Sequence, residues 1–112
     1  LQDGDRVLSI YTEDLRYRDP NTRGEGRGRD AMRRYLTKLF QGWQMHWSLR
    51  EIFALRDHDG AGVLWRASFR KTGGQSTVEA DGMDLVVFRA DRIERNEVYF
   101  DRAALAPLLG EG

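Results

Sequence analysis

The sequence predicts an α+β domain in which a curved antiparallel sheet packs against helices and leaves a cone-shaped pocket. Three stretches carry that prediction. From Arg29 to Gln41 the apolar residues Met32, Tyr35, Leu36, Leu39 and Phe40 recur at the spacing of one helix face. After Gly42 the period shortens to two, and long strand patterns separated by tight turns run on to Phe100. Among those strands, Met83–Phe88 is apolar on both alternating faces except for one acid, Asp84, as expected of an interior strand covered on both sides.

Taken in order, Val7, Leu8, Ile10 and Tyr11 suit a short helix ending near Glu13. Leu15, Tyr17 and Asp19 then share one face of a short strand, and Arg16 and Arg18 the other. Pro20 closes that strand because proline offers no ladder donor. Asn21–Gly28 reads as a loop rich in glycine and arginine, without the spacing of a phosphate cradle. In the helix over Arg29–Gln41, Arg33, Arg34 and Lys38 mark the wet side. Trp47, Leu49, Phe53 and Leu55 alternate with His46, Ser48, Arg50 and Ala54 in the first long strand, which turns at Asp57-His58-Asp59-Gly60. Val63, Trp65, Ala67 and Phe69 form one face of the next strand, opposite Leu64, Arg66, Ser68 and Arg70, and Thr72–Gln75 turns the chain back. The strand holding Asp84 runs from about Thr77 to Arg89, and Ala90-Asp91-Arg92 leads into a last strand, Ile93–Phe100. Asp101 caps a short final helix that Pro107 disrupts.

A chain of 112 residues holds one core, so a single domain over residues 1–112 is expected. Lysine plus arginine balance aspartate plus glutamate at 18 each, so no overall field steers the protein toward nucleic acid or an anionic membrane. The absence of cysteine excludes disulfides, thiolate nucleophiles and cysteine zinc sites. His46 and His58 fall on different kinds of element, which gives no metal pair. With no apolar run of membrane-spanning length and no signal-peptide pattern at the start, a soluble protein is expected, with the cytoplasm as default compartment.

Asp84 is the residue that most needs a partner. A carboxylate in an apolar strand must be paired, hydrogen-bonded or protonated, because an unpartnered buried charge costs several kcal/mol or more. Asp19 points the way its apolar neighbours point. Two carboxylates on apolar faces, one more buried than the other, is an arrangement that separates an acid from a base. Asp84 is then either a neutral acid in a pocket or a structural partner of Arg66 on the adjacent strand. Trp43, Trp47, Trp65, Phe69 and Phe88 are expected in the core or pocket wall. Asn96 and Glu97 lie on opposite faces, so at most one of them lines a pocket.

The element order resembles the nuclear transport factor 2-like superfamily, above all its SnoaL-like and ketosteroid isomerase-like branches. Gly4-Asp5, Tyr11-Thr12-Glu13-Asp14, Arg18-Asp19-Pro20, Gly28-Arg29-Asp30, Asp91-Arg92-Ile93 and Asn96–Asp101 carry the likeness. It implies a cystatin-like cone of mixed sheet and helices, a small apolar ligand or substrate, no cofactor, and a homodimer formed through the exposed sheet face. In ketosteroid isomerases an aspartate before proline at the end of the first strand is the general base, and Asp19 matches it. An aspartate of the central strand donates a hydrogen bond to the substrate oxyanion, and Asp84 matches that one. Tyr11 matches a supporting tyrosine, and Trp43, Trp65, Arg66, Phe88 and Phe100 complete the expected substrate contacts. The tyrosine that faces the oxyanion lies on a helix preceding the counterpart of Gly4-Asp5, so the first helix is expected to be missing or truncated. Leu36 stands where a further tyrosine would be. Limonene epoxide hydrolase-like members use an arginine flanked by two aspartates; Arg66 matches the arginine, but Ser68 and Val98 take the acidic positions. A SnoaL-like polyketide cyclase would place its acid/base aspartate at Val98 too. Two expectations follow: a cofactor-free acid/base isomerase acting on an apolar carbonyl compound, or a non-catalytic ligand-binding or dimerisation module.

Overall fold

A computed structural model describes residues 4–20, 22 and 24–109. Its elements are α1 (Gly4–Ser9), β1 (Tyr11–Arg18), β2 (Gly26–Arg27), α2 (Arg29–Gly42), β3 (Trp43–Ala54), β4 (Gly60–Lys71), β5 (Val78–Arg89) and β6 (Arg92–Phe100). A 3-10 turn, Arg102–Leu105, then runs into α3 (Ala106–Leu109). The strands form one sheet in the order β2-β1-β6-β5-β4-β3. Every neighbouring pair is antiparallel except β1 and β6, so the sheet is mixed and the fold is the α+β cone.

The helix α2 is anchored before it begins. Gly28 has φ +84°, a conformation glycine adopts without steric cost. Its N–H donates to Leu15 O at 2.8 Å, and its carbonyl accepts from Met32 N at 3.2 Å, tying the helix start to β1. Met32 and Leu36 then bury against Leu8, Tyr11 and Leu15. A second core gathers Met45, Trp65, Ala67, Phe69 and Ala80, with Leu105 and Leu108 closing one end of the cone. Leu39 and Phe40 touch both cores, so the apolar stripe of α2 joins the two ends of the domain.

Several expectations are corrected. The first helix stops at Ser9, and Tyr11–Asp14 belongs to β1. There Ile93 N donates to Ile10 O at 2.8 Å and Tyr11 pairs with Ile93, so strand pairing overrides the local helical spacing. The glycine-rich loop contains the two-residue β2, paired with Arg16 and Tyr17. In β3 the pairing shifts between Leu49 and Glu51, which brings Ile52 opposite Val63 and moves Phe53 off the face of Trp47 and Leu49. β5 is interior to the sheet but is covered on one side only, since Glu79, Asp81 and Met83 are exposed. Pro107 does not break the terminal helix; it lies in the first turn of α3, where its missing N–H is not needed. Asp101 caps as expected, its side chain accepting from Ala103 N at 2.9 Å. No helix among the described residues is long and apolar enough to cross a membrane.

Candidate active site

Three strands set the positions of the two acids. The parallel β1–β6 register places Arg18 beside Glu97, and the antiparallel β6–β5 register places Val98 beside Asp84. Asp19, one residue past Arg18, and Asp84 therefore flank Val98 from either side, about two strand spacings or roughly 10 Å apart at the backbone. Both line one cavity of about 500 Å³ between the sheet and α2. Leu36, Leu39 and Phe40 from the helix and Met45, Phe69 and Phe100 from the sheet make most of its remaining wall apolar.

Around Asp84 the polar groups form a chain. Trp65 Nε1 donates to Oδ1 at 2.9 Å, and Asn96 Nδ2 donates to Oδ2 at 3.3 Å. Asn96 Nδ2 also donates to Leu85 O at 3.3 Å, and a backbone carbonyl can only accept, which fixes the orientation of the amide. Asn96 Oδ1 thus accepts from Tyr11 Oη at 2.8 Å. Tyr11 lines the cavity but gives its proton to Asn96. Burial raises the Asp84 carboxyl above its ordinary 3.8, against the lowering effect of the Trp65 and Asn96 hydrogen bonds, and the negative charge of Asp19 raises it further. Burial, with the charge of Asp84 behind it, also pushes the Tyr11 phenol upward, keeping it a donor.

Asp19 is held from three directions. Tyr17 Oη donates to Oδ2 at 2.8 Å, Tyr35 Oη donates to the same oxygen, and Thr22 N donates to Oδ1 at 3.1 Å. The Tyr17 and Tyr35 rings lie 5.3 Å apart, centre to centre. Burial raises the Tyr17 phenol, followed by the nearby Tyr35 and Asp19.

Asp19, Asp84, Tyr11, Trp43, Trp65 and Phe100 are brought together around this cavity; Arg66 and Phe88 are not. Arg66 follows Trp65 on β4 and so points from the opposite face, where it pairs with Glu79 at 3.2 Å and Asp81 at 3.3 Å. Arg66 is bridged to Glu79 and Asp81 and not to Asp84, and it does not line this cavity. Ser68 shares the outward face, so the epoxide hydrolase arrangement fails in direction as well as in residue type. Phe88 lies beyond a shift in the β5–β6 pairing, opposite Ile93, with its N–H donating to Asp59 O at 2.7 Å. Asn96 faces inward, while Glu97 on the other face is bonded to Arg95 and Tyr99.

Tyr17 and Tyr35 are the site residues that sequence reasoning missed; of the pair it left open, Asn96 and Glu97, Asn96 is the one that lines the cavity. The signal for Tyr17 was its place two residues before Asp19 on the same strand face. Tyr35 was hidden in the apolar stripe of α2, where a phenol counts as one more hydrophobe. Among the described residues, no group of three or more His, Cys, Asp or Glu side chains converges as a metal site.

The sequence matches the SnoaL-like domain family over residues 2–96. It is similar in structure to a Bacillus subtilis protein provisionally described as an isomerase, with TM-score 0.88 and 11% identity over 99% of this chain and 84% of that one. A nuclear transport factor 2-like protein of unknown function from Burkholderia pseudomallei gives 0.84 and 18% over 98% and 87%. A Jannaschia protein provisionally described as a SnoaL-like polyketide cyclase gives 0.80 and 14% over 96% and 78%. At these identities the likeness is one of fold. A search of curated proteins finds no match.

Proposed function

The chain belongs to the SnoaL-like domain family, and from that premise we propose that it holds a small, mostly apolar carbonyl compound and moves a proton on it. The observation supporting this reading is two carboxylates in one cavity with unlike surroundings. Asp84 lies where burial favours its neutral form, and Asp19 is oriented by three donors. Asp19 takes a proton from the carbon next to the carbonyl, while neutral Asp84 donates to the carbonyl oxygen as negative charge grows there. In a substrate with a carbon–carbon double bond β,γ to the carbonyl, return of the proton at the γ carbon moves that double bond into conjugation and completes an isomerisation without oxidant or cofactor. These two acids line the cavity and, among the described residues, no Lys, Arg or His does, which disfavours an anionic ligand. A cyclase-type acid on the last strand is missing, because Val98 occupies that place.

The test is solvent-deuterium exchange into a panel of apolar enolisable ketones. Exchange is expected with the native protein and should fall by about 10²-fold or more in Asp19→Asn. Exchange at the native rate in that variant would contradict the assignment of Asp19.

A second reading, a non-catalytic binding module, is favoured by one specific feature. Tyr11 gives its proton to Asn96 and leaves Asp84 as the donor facing a ligand, a thinner oxyanion site than two donors would make. Ketone binding without exchange in the native protein would support that reading.

A further inference from the structure

Gly82 occupies the centre of the inner sheet face, opposite Trp65 on β4 and opposite Phe100 on β6. The two aromatic rings close over it, 6.1 Å apart at their centres, and Phe100 stacks in turn on Phe69 at 5.7 Å. A Cβ added at Gly82 would come under 3.0 Å from Cζ2, Cη2 and Cζ3 of Trp65. The indole therefore fills the space a side chain at position 82 would take. That placement has a chemical result. Asp84 is the diagonal neighbour of Trp65, two residues beyond its direct partner, a separation of about 7–8 Å that only a long side chain leaning across the adjacent strand can bridge. The indole leans across Gly82, and its Nε1 reaches Asp84 Oδ1 at 2.9 Å.

We propose that Gly82 is a positioning residue: by leaving its place to the Trp65 indole, it lets Trp65 orient the Asp84 carboxyl toward the ligand. An indole N–H can only donate, so it marks Oδ1 as the accepting oxygen of neutral Asp84. The acid proton then sits on Oδ2, which still accepts the longer bond, 3.3 Å from Asn96 Nδ2, through a lone pair. The direction of the donated proton follows from which oxygen the indole claims. This role rests on the acid/base reading only for its use in turnover; the orientation itself is measurable without a substrate.

The experiment combines indole N–H NMR with a carboxyl-carbon titration of Asp84 in the native protein, Gly82→Ala and Trp65→Phe. In Gly82→Ala the indole N–H signal is expected to lose its hydrogen-bonded shift. The Asp84 midpoint should rise by about one pH unit, because a donor that favours the charged form is gone. Trp65→Phe should raise the midpoint similarly, and adding Gly82→Ala to it should raise it no further. An unchanged indole signal and unchanged midpoint in Gly82→Ala would overturn the proposal. If Gly82→Ala folds poorly, thermal unfolding of W65F and W65F/G82A decides the matter. The alanine should cost much less stability where the indole is absent, and an equal cost in both backgrounds would overturn it. Shifted titrations with unaltered ketone exchange would sink the acid/base reading and leave this one standing.

Discussion

Asn96 uses both ends of its amide, donating from Nδ2 to Asp84 Oδ2 and Leu85 O and accepting at Oδ1 from Tyr11 Oη. It is 4% exposed and Tyr11 5%, so the contact between these two is shielded from water. Tyr11→Phe removes the hydroxyl that donates to Asn96 Oδ1 and should cost about 1–3 kcal/mol of stability, measured by urea unfolding. Unaltered stability would mean that this polar chain is not closed in solution. The two acids were legible in the sequence because a carboxylate on an apolar strand face is conspicuous. Arg66 was misplaced because the family resemblance put it in the pocket, although alternation along β4 already separates it from Trp65. The partners of Asp19 and Asp84 were not legible, since a tyrosine in an apolar stripe and one asparagine on a mixed strand give no pattern of their own.

The elements that could be read were those with a sustained period. α2 and the four long strands stand at or near their expected bounds because amphipathic spacing over many residues survives small errors. Short elements did not. Six residues of α1 and two of β2 are fixed by what they pair or pack with, and the β3 shift is one residue that reverses every face after it. The terminal segment shows how little local pattern such an element needs. Leu108 is fully buried at 0% exposure and packs with Met45, Trp65, Ala67 and Phe69. Leu108→Ala should therefore cost about 2–5 kcal/mol in a denaturant titration, whereas a terminal turn contributing nothing to the cone would cost almost nothing.

At the scale of the whole molecule, a mixed sheet and one long helix enclose a cavity that brings together two acids distant in the chain. The protein tolerates the burial of Asp84 by favouring its uncharged form. A carboxyl whose folded value lies above its ordinary 3.8 binds more protons in the folded state than in the unfolded one between those two values. Its contribution to stability is therefore most favourable below 3.8 and declines as pH rises toward the folded value. Carboxyl-carbon NMR titration of Asp84, with Asp84→Asn as the assignment control, reads this directly. A midpoint clearly above 3.8 is the result predicted, and Asp84 serves as a neutral donor at pH values below that midpoint. A midpoint at or below 3.8 would mean a charged, fully bonded carboxylate, and would contradict the account of Asp84 as the acid of this site.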